Sequence, residues 1–270
     1  GLAIQDKNVA LMSPISNDSI GDFVINSCKK IGINTLLLEK VSNLKNTLAI
    51  VDTMGDKTNA VLYREKPADL FIDETFLKKV NLDSYLMIIV TGTSLSRNPS
   101  RNNVLKLMEL AIKRKIEIVL DIDYREGSWN DKKKAEKTLY SASLLSNIVV
   151  GNDLEFNFMS SDKNRGLSLA SKLSKKNRIT TIYKMGSKGL YYFNKNNKHY
   201  FKSFNVKSIK PTGAGDAFIS SFCSSKLRGV ELSKSIKFGA AAGAIVVTRV
   251  GCSKAMPTLL EIKEFIKKYN

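Results

Sequence analysis

Short apolar runs alternate along this chain with longer amphipathic stretches, a rhythm that predicts βαβ units around a mostly parallel sheet. Residues 8–13 predict a strand, and residues 20–30 a helix that ends near Gly32. Residues 86–90 predict a buried strand, and residues 104–115, with apolar positions three and four apart, a helix. A strand follows at 116–121, a helix at 132–144 and a strand at 147–150. Residues 167–173 predict a helix and 179–184 a strand, while 189–193 and 198–201 pair as a hairpin. Helices at 217–227, 233–247 and 259–268 complete the pattern.

One segment breaks the rhythm. Between residues 36 and 64 lie two alternating runs, 46–53 and 59–64, joined by the turn-like Met54-Gly55-Asp56-Lys57. Two strands inserted here predict a small antiparallel flap over the sheet, an insertion at about 36–66 in one domain spanning 1–270. No internal repeat, low-complexity linker or second domain boundary is visible.

Composition narrows the class. The 270 residues are 43% hydrophobic and 25% charged, which excludes a disordered chain, a collagen-like repeat and a disulfide-framed mini-protein. The longest apolar stretches, 85–90 and 238–247, fall well short of the roughly 20 residues a membrane span requires. Nothing at the start signals secretion. Cys28, Cys223 and Cys252 form no CxxC pair and, with His199 as the lone histidine, build no usual zinc constellation. They read as free thiols in a reducing cytoplasm.

The formal charge of +18 raises the question of nucleic acid. Its lysines are dispersed, as in Lys132-Lys133-Lys134 and Lys175-Lys176-Asn177, without aromatic interleaving. A solvated surface is the better reading. Its field still attracts phosphorylated or carboxylated small molecules.

The strongest local signal is Pro211-Thr212-Gly213-Ala214-Gly215-Asp216-Ala217-Phe218. Small residues let the backbone turn tightly at the start of an apolar helix, where N–H groups and the dipole make an anion site. Asp216, in the first turn beside such an anion, suits a general base. The same residues read equally well as a capped helix, with Thr212 as cap and Asp216 favouring the dipole. No Walker-type loop and no GxGxxG are present, and Gly239 and Gly243 read as allowing close helix packing.

These residues resemble the ribokinase-like (PfkB) sugar kinases. Thr212 to Asp216 resembles the family's second signature, Asn152-Asp153-Leu154-Glu155 its Asn-x-x-Glu motif, and Lys184-Met185-Gly186-Ser187-Lys188-Gly189 its stretch beside the nucleotide. Ser16-Asn17-Asp18-Ser19-Ile20-Gly21 resembles the loop after the second strand, and the inserted hairpin the lid over the sugar. Asp121-Ile122-Asp123-Tyr124-Arg125 with Trp129, Thr91-Gly92-Thr93-Ser94-Leu95-Ser96 and Cys252-Ser253-Lys254-Ala255-Met256-Pro257-Thr258 resemble the family's myo-inositol-breakdown branch, as do Tyr63-Arg64, Ala68-Asp69-Leu70 and Lys210.

The resemblance implies an α/β ribokinase-like three-layer sandwich with a mostly parallel sheet and a small β lid. It implies ATP and Mg²⁺, an acid-sugar acceptor (5-dehydro-2-deoxy-D-gluconate, phosphorylated at its 6-position), a cytoplasmic place, and a homodimer paired through the lid. Asp216 is then the base, with Gly213, Ala214 and Gly215 as the anion hole. Asn152, Lys184, Gly186, Gly189 and Gly243 face the nucleotide, and Glu155 the metal.

Arg125, at the carboxyl end of a strand, and Arg64, on the lid, are the candidates for the substrate's anion. Arg125 reads alternatively as a surface arginine paired with Asp123 or Glu126, and Asn152 with Glu155 as a capping box. Trp129 reads as a packing residue, and Asp18 as a solvated loop residue. The family's opening strand and Gly-Gly motif precede the position matching Gly1, so that strand and part of the sugar site are expected to be missing. The rival readings are a kinase of 2-keto-3-deoxygluconate or fructose, and a degenerate non-catalytic protein binding nucleotide or nucleic acid.

Overall fold

The computed structural model describes residues 1–54, 57–162, 164–176, 179–210 and 212–269, without the side chains of residues 51–54 and 57–60. The expected turn residues Gly55 and Asp56, Asn177 of the basic run and Pro211 of the glycine-rich motif lie outside the described residues. In chain order the elements are β1 (Ser13–Ser16), α1 (Ser19–Lys30), β2 (Leu38–Val41), β3 (Leu48–Met54), β4 (Lys57–Tyr63), α2 (Glu74–Lys79), β5 (Met87–Thr91) and α3 (Ser100–Lys113). They continue with β6 (Glu117–Asp121), α4 (Lys132–Leu144), β7 (Ile148–Asn152), α5 (Asp153–Met159), α6 (Gly166–Lys175), β8 (Thr180–Lys184), β9 (Leu190–Asn194) and β10 (Asn197–Phe201). Helices α7 (Ala214–Lys226), α8 (Leu232–Val247) and α9 (Leu259–Lys268) follow. Among the described residues no helix is long and apolar enough to cross a membrane.

The chain divides into two compact units, one of Gly1–Ala68 with Ser203–Asn270 and one of Asp69–Lys202. In the second, six strands run in the order β10-β9-β8-β7-β6-β5. The strands β5 to β8 are parallel, and β9 and β10 are antiparallel additions. Ile118, Val119 and Leu120 are consecutive and fully buried, as are Val149 and Val150, so both faces of the sheet are covered. That is why these strands read as unbroken apolar runs rather than alternations. The Asn147 amide oxygen accepts from Ile118 N at 2.8 Å and ties the start of β7 to its neighbour. The parallel order brings Thr91, Asp121, Asn152 and Lys184 to one carboxyl edge, where open α/β sheets bind ligands.

In the first unit β1 and β2 form a parallel pair, and β3 and β4 an antiparallel one. Helix α1 starts at Asp18, whose carboxylate accepts from Ile20 N and Gly21 N, both at 3.1 Å, and from Ser16 Oγ. Asp18 is therefore a cap, and these bonds to the ionised form hold its pKa below the ordinary carboxylate value, the Ser16 hydroxyl contributing most. Helices α7, α8 and α9 meet around Ala217, Ala241, Ala242, Ile245, Val246 and Ile262. A methyl group on Gly239 would come 2.9 Å from the Phe218 carbonyl, so the glycine is what lets α8 lie against α7.

Several expectations need correction. The strand expected at 8–13 forms at Ser13–Ser16, with only an isolated bridge from Ala10 to Asn34 before it. The insertion expected from 36 begins later, because Leu38–Val41 pairs with β1 and leaves the hairpin to Leu48–Tyr63. Helix α7 starts three residues earlier than its apolar period, at Ala214.

Candidate active site

At the carboxyl edge of the second unit, β7 runs directly into α5. Asn152 is the N-cap, its Oδ1 accepting from Glu155 N at 2.9 Å, while Glu155 Oε2 accepts from Asn152 N at 2.7 Å. The pair is thus a complete capping box, which satisfies two helix-end donors. Glu155 is 8% exposed, and burial pushes its pKa above the ordinary glutamate value. The Asn152 N–H and the charges of Lys184 and Arg125 pull it back down, and Asp123 adds to the rise. Lys184 is also the register partner of Asn152 across β7 and β8. Arg125, Asn152, Glu155 and Lys184, all expected at the site, therefore share one neighbourhood.

Just past β6, Arg125 Nε donates to Asp123 Oδ1 at 2.9 Å. The other oxygen of Asp123 accepts from Thr93 Oγ1, whose hydroxyl also lies 3.1 Å from the Asp123 carbonyl. Asp123 has φ 32, a backbone conformation that non-glycine residues seldom adopt. The pairing of Arg125 with Asp123 that the alternative reading offered is thus present. It engages Nε alone, so the terminal nitrogens can still meet an anion. Sequence reasoning did not place Thr93 or Asp123 at the site. The available signal was their position, each just beyond a buried strand.

Gly186 opens a short 3-10 turn after β8, and Gly189 closes it with φ 85. A side chain at Gly189 would meet the Phe201 carbonyl at 2.3 Å, so close approach of the hairpin end requires glycine there.

In the first unit, Gly213 is the N-cap of α7 at φ 88, and no side chain caps the helix. Thr212, considered above as the cap, is not one. Ala217 N donates to the Gly213 carbonyl at 2.9 Å, and the first turn carries the positive end of the dipole with no side-chain cap. Asp216 is the third residue of α7 and is exposed. A Cβ on Gly213 would lie 3.0 Å from Cys252 Sγ. The Cys252 thiol is half-buried; burial raises its pKa, the Asp216 carboxylate raises it further, and Lys210 opposes the rise. Gly243 of α8 faces the Ala214 carbonyl, 3.3 Å from an added methyl, which keeps α8 close behind the helix start. Arg64 follows β4 directly and is half-buried.

Among the described residues no three His, Cys, Asp or Glu side chains converge on a metal site. Magnesium carried by a nucleotide needs less, one or two carboxylates beside the phosphates. Glu155 fits that demand, since the capping box uses one of its oxygens.

The family model for pfkB family carbohydrate kinases matches residues 1–259. The chain is 33% identical over 276 residues to the 5-dehydro-2-deoxygluconokinase of Clostridium tetani, covering 99% of this chain and 81% of that protein. The protein of the same name from Bacillus licheniformis is 30% identical, with 93% and 79% covered. Among solved structures, a fructokinase with bound ATP from Xylella fastidiosa matches with a TM-score of 0.87 at 20% identity, covering 99% of this chain and 87% of that one. A putative ribokinase II in complex with ATP and Mg²⁺ from E. coli matches with a TM-score of 0.85 at 22% identity, covering 99% and 85%. The fold is therefore the ribokinase-like α/β fold with a mixed, mostly parallel sheet, and the chain belongs to the pfkB family of carbohydrate kinases.

Proposed function

We propose that this carbohydrate kinase transfers the γ-phosphoryl group of ATP to the terminal hydroxyl of an acid sugar, with 5-dehydro-2-deoxy-D-gluconate as acceptor and its 6-phosphate as product. The observation that carries the reading is the start of α7, where an exposed carboxylate, Asp216, follows an uncapped glycine turn. The relatives named above support the choice of acceptor.

Each residue has a task in this reading. Asp216 accepts the proton of the attacking hydroxyl. The N–H groups at Gly213, Ala214 and Gly215 meet the charge that develops on the phosphoryl oxygens. Asn152 orients α5 and Glu155, which would hold the nucleotide's magnesium with the oxygen the capping box leaves over, and Lys184 offers its ammonium to the phosphates. Gly186 and Gly189 shape the nucleotide side of the β8–β9 turn, and Gly243 backs the anion hole. When bound, magnesium neutralises charge on the β- and γ-phosphates. Arg125 and Arg64 take the acceptor's carboxylate, and ATP as donor places the reaction in the cytoplasm.

The hairpin β3–β4 is the lid of a single kinase domain spanning 1–270, and it pairs two subunits. Directly opposite residues of an antiparallel pair share a face, which puts Leu48 with Tyr63 and Ile50 with Val61 on one side. All four are exposed, Ile50 by 58% and Val61 by 55%, and an uncovered apolar face of this kind marks an interface.

The test is ADP release coupled to a dehydrogenase, run with 5-dehydro-2-deoxy-D-gluconate, 2-keto-3-deoxygluconate and fructose. The expected result is preference for the first, with Asp216→Ala lowering turnover by about 10²- to 10⁴-fold. Fructose used equally well defeats the acid-sugar reading. Undiminished turnover in Asp216→Ala defeats the base.

A further inference from the structure

Beyond the kinase residues, the second unit has a cleft of about 400 Å³ between the segment after β5 and the start of α4. Ser96, Arg97, Arg101, Trp129 and Lys134 line it, with Asp131 among the remaining lining residues. Its volume lies in the range of small-molecule sites, roughly 300–1,000 Å³. Three cationic side chains face one carboxylate, and that carboxylate is already occupied as the α4 cap, accepting from Lys134 N at 3.1 Å.

The polar atoms of this wall are unusual in a second way. Ser96 is 2% and Trp129 8% exposed, yet Ser96 Oγ and Trp129 Nε1 have no hydrogen-bond partner, and neither does Arg97 Nε. Buried donors are rarely left unpaired, because each then loses its hydration with nothing in return. Three of the seven such atoms among the described residues belong to this one cleft. Arg101, in contrast, is held on two sides: its Nε donates to the Leu95 carbonyl at 2.9 Å and its Nη2 to the Ser96 carbonyl, and its guanidinium lies over the Trp129 ring at 5.6 Å. It holds the wall in place while Arg97, half-buried and long, can turn its guanidinium.

We propose that this cleft is a second ligand site, separate from the kinase residues, that takes a small phosphomonoester by its phosphoryl group. A phosphoryl group is acceptor-only and carries close to two negative charges, which matches a wall of N–H and O–H donors with surplus positive charge. Arg97 meets the oxyanion with its terminal nitrogens and Lys134 supplies a further charge at the mouth, while the Trp129 indole N–H and the Ser96 hydroxyl, enclosed in the wall, come within reach as the Arg97 side chain turns.

Trp129 is the sole tryptophan of the chain, so its fluorescence reports on this cleft directly. The experiment titrates the whole chain with inorganic phosphate, glucose 6-phosphate and glucose, each with MgATP saturating. The expected result is a saturable change in Trp129 emission with both phosphates and none with glucose. Tighter binding of glucose 6-phosphate than of phosphate assigns the ligand as an ester, and the reverse order assigns free phosphate and overturns the ester. Arg97→Ala and, independently, the exposed Lys134→Ala should each weaken binding by about tenfold or more, with unfolding temperature and acceptor turnover at wild-type values. No emission change in the wild type, or the same titration in both variants, overturns the site. Should Arg97→Ala fail to fold, Lys134→Ala decides alone.

Discussion

Asn152 and Lys184 are register partners across β7 and β8, so the residue that caps α5 and the one that ends β8 stand side by side at the carboxyl edge of the sheet. Glu155, folded back onto the Asn152 N–H, feels the Lys184 charge from the same side. In the proposed reaction this one carboxylate serves both as part of the helix cap and as the holder of the nucleotide's metal. The two roles can be separated because they use different oxygens and different charge states.

Glu155→Gln makes that separation. The amide oxygen can still accept from Asn152 N, so the capping box survives while the negative charge is lost. Burial raises the pKa of Glu155 in the folded chain above its ordinary value of 4.5. The folded state therefore holds a proton that the unfolded state has released, and stability falls as pH climbs from the unfolded pKa through the folded one. The variant lacks this loss. Its stability relative to wild type should rise as pH climbs above about 4.5 and level off once pH passes the raised folded value, in denaturant titrations, while acceptor turnover falls at neutral pH. Turnover equal to wild type would leave Glu155 a cap and nothing more.

At Gly213 the backbone and the packing make the same demand. Its φ of 88 costs an L-residue roughly 1–2 kcal/mol, and an added methyl would lie 3.0 Å from Cys252 Sγ. Gly213→Ala should lower stability by about that amount and should cut turnover by more than the stability loss explains. Adding Cys252→Ala removes the contact and leaves the dihedral strain, so the double variant should recover only part of the stability. Full recovery would mean that contact with sulfur, not backbone conformation, fixes glycine at this position.

Much of this was legible in the chain because the parallel strands are buried on both faces, so 116–121 and 179–184 read as apolar runs close to their observed ends. Residues whose signal is positional were harder. The strand Leu38–Val41 is Leu-Glu-Lys-Val, too polar and too short to register, and its pairing with β1 depends on tertiary contact. Helix α5 is seven residues long and has the last residue of a strand as its cap, which hides its period. Asp216 was visible from its glycine-rich approach, which sets it in the first turn of α7 as observed, one residue ahead of the apolar period that starts at Ala217. Asp123 and Thr93 lie in segments that resemble the family branch, but nothing in those segments says that the two side chains meet. Their role follows from a hydrogen bond between segments 30 residues apart.

That hydrogen bond predicts how the acceptor is chosen. Thr93 steadies Asp123, Asp123 holds Arg125 by Nε, and the terminal nitrogens of Arg125 remain for a carboxylate. Arg125→Ala should raise KM for the acid sugar by about 10- to 100-fold, the worth of a hydrogen bond to a charged group. It should change KM for fructose little. Asp123→Asn keeps an acceptor for Thr93 and weakens the ion pair, so the same selectivity should fall by a smaller factor, with kcat nearly retained. A uniform rise in KM for both sugars would mean that Arg125 shapes the site without reading the acid.

The exposed face of the hairpin makes the last prediction. Leu48, Ile50, Val61 and Tyr63 lie on one side of a two-stranded sheet, a structure that is marginal alone in water. Pairing with a second copy buries that face, and each buried aliphatic side chain is worth about 1.5–3 kcal/mol. Ile50→Thr with Val61→Thr keeps β-branched side chains, and hence strand propensity, while removing apolar area. In sedimentation velocity the wild type should be a dimer whose dissociation constant rises about a hundredfold or more in the double variant, with the circular dichroism spectrum unchanged. A wild type that stays monomeric at every concentration, or a dimer indifferent to both substitutions, would remove the lid from the interface and leave its apolar face to the substrate side.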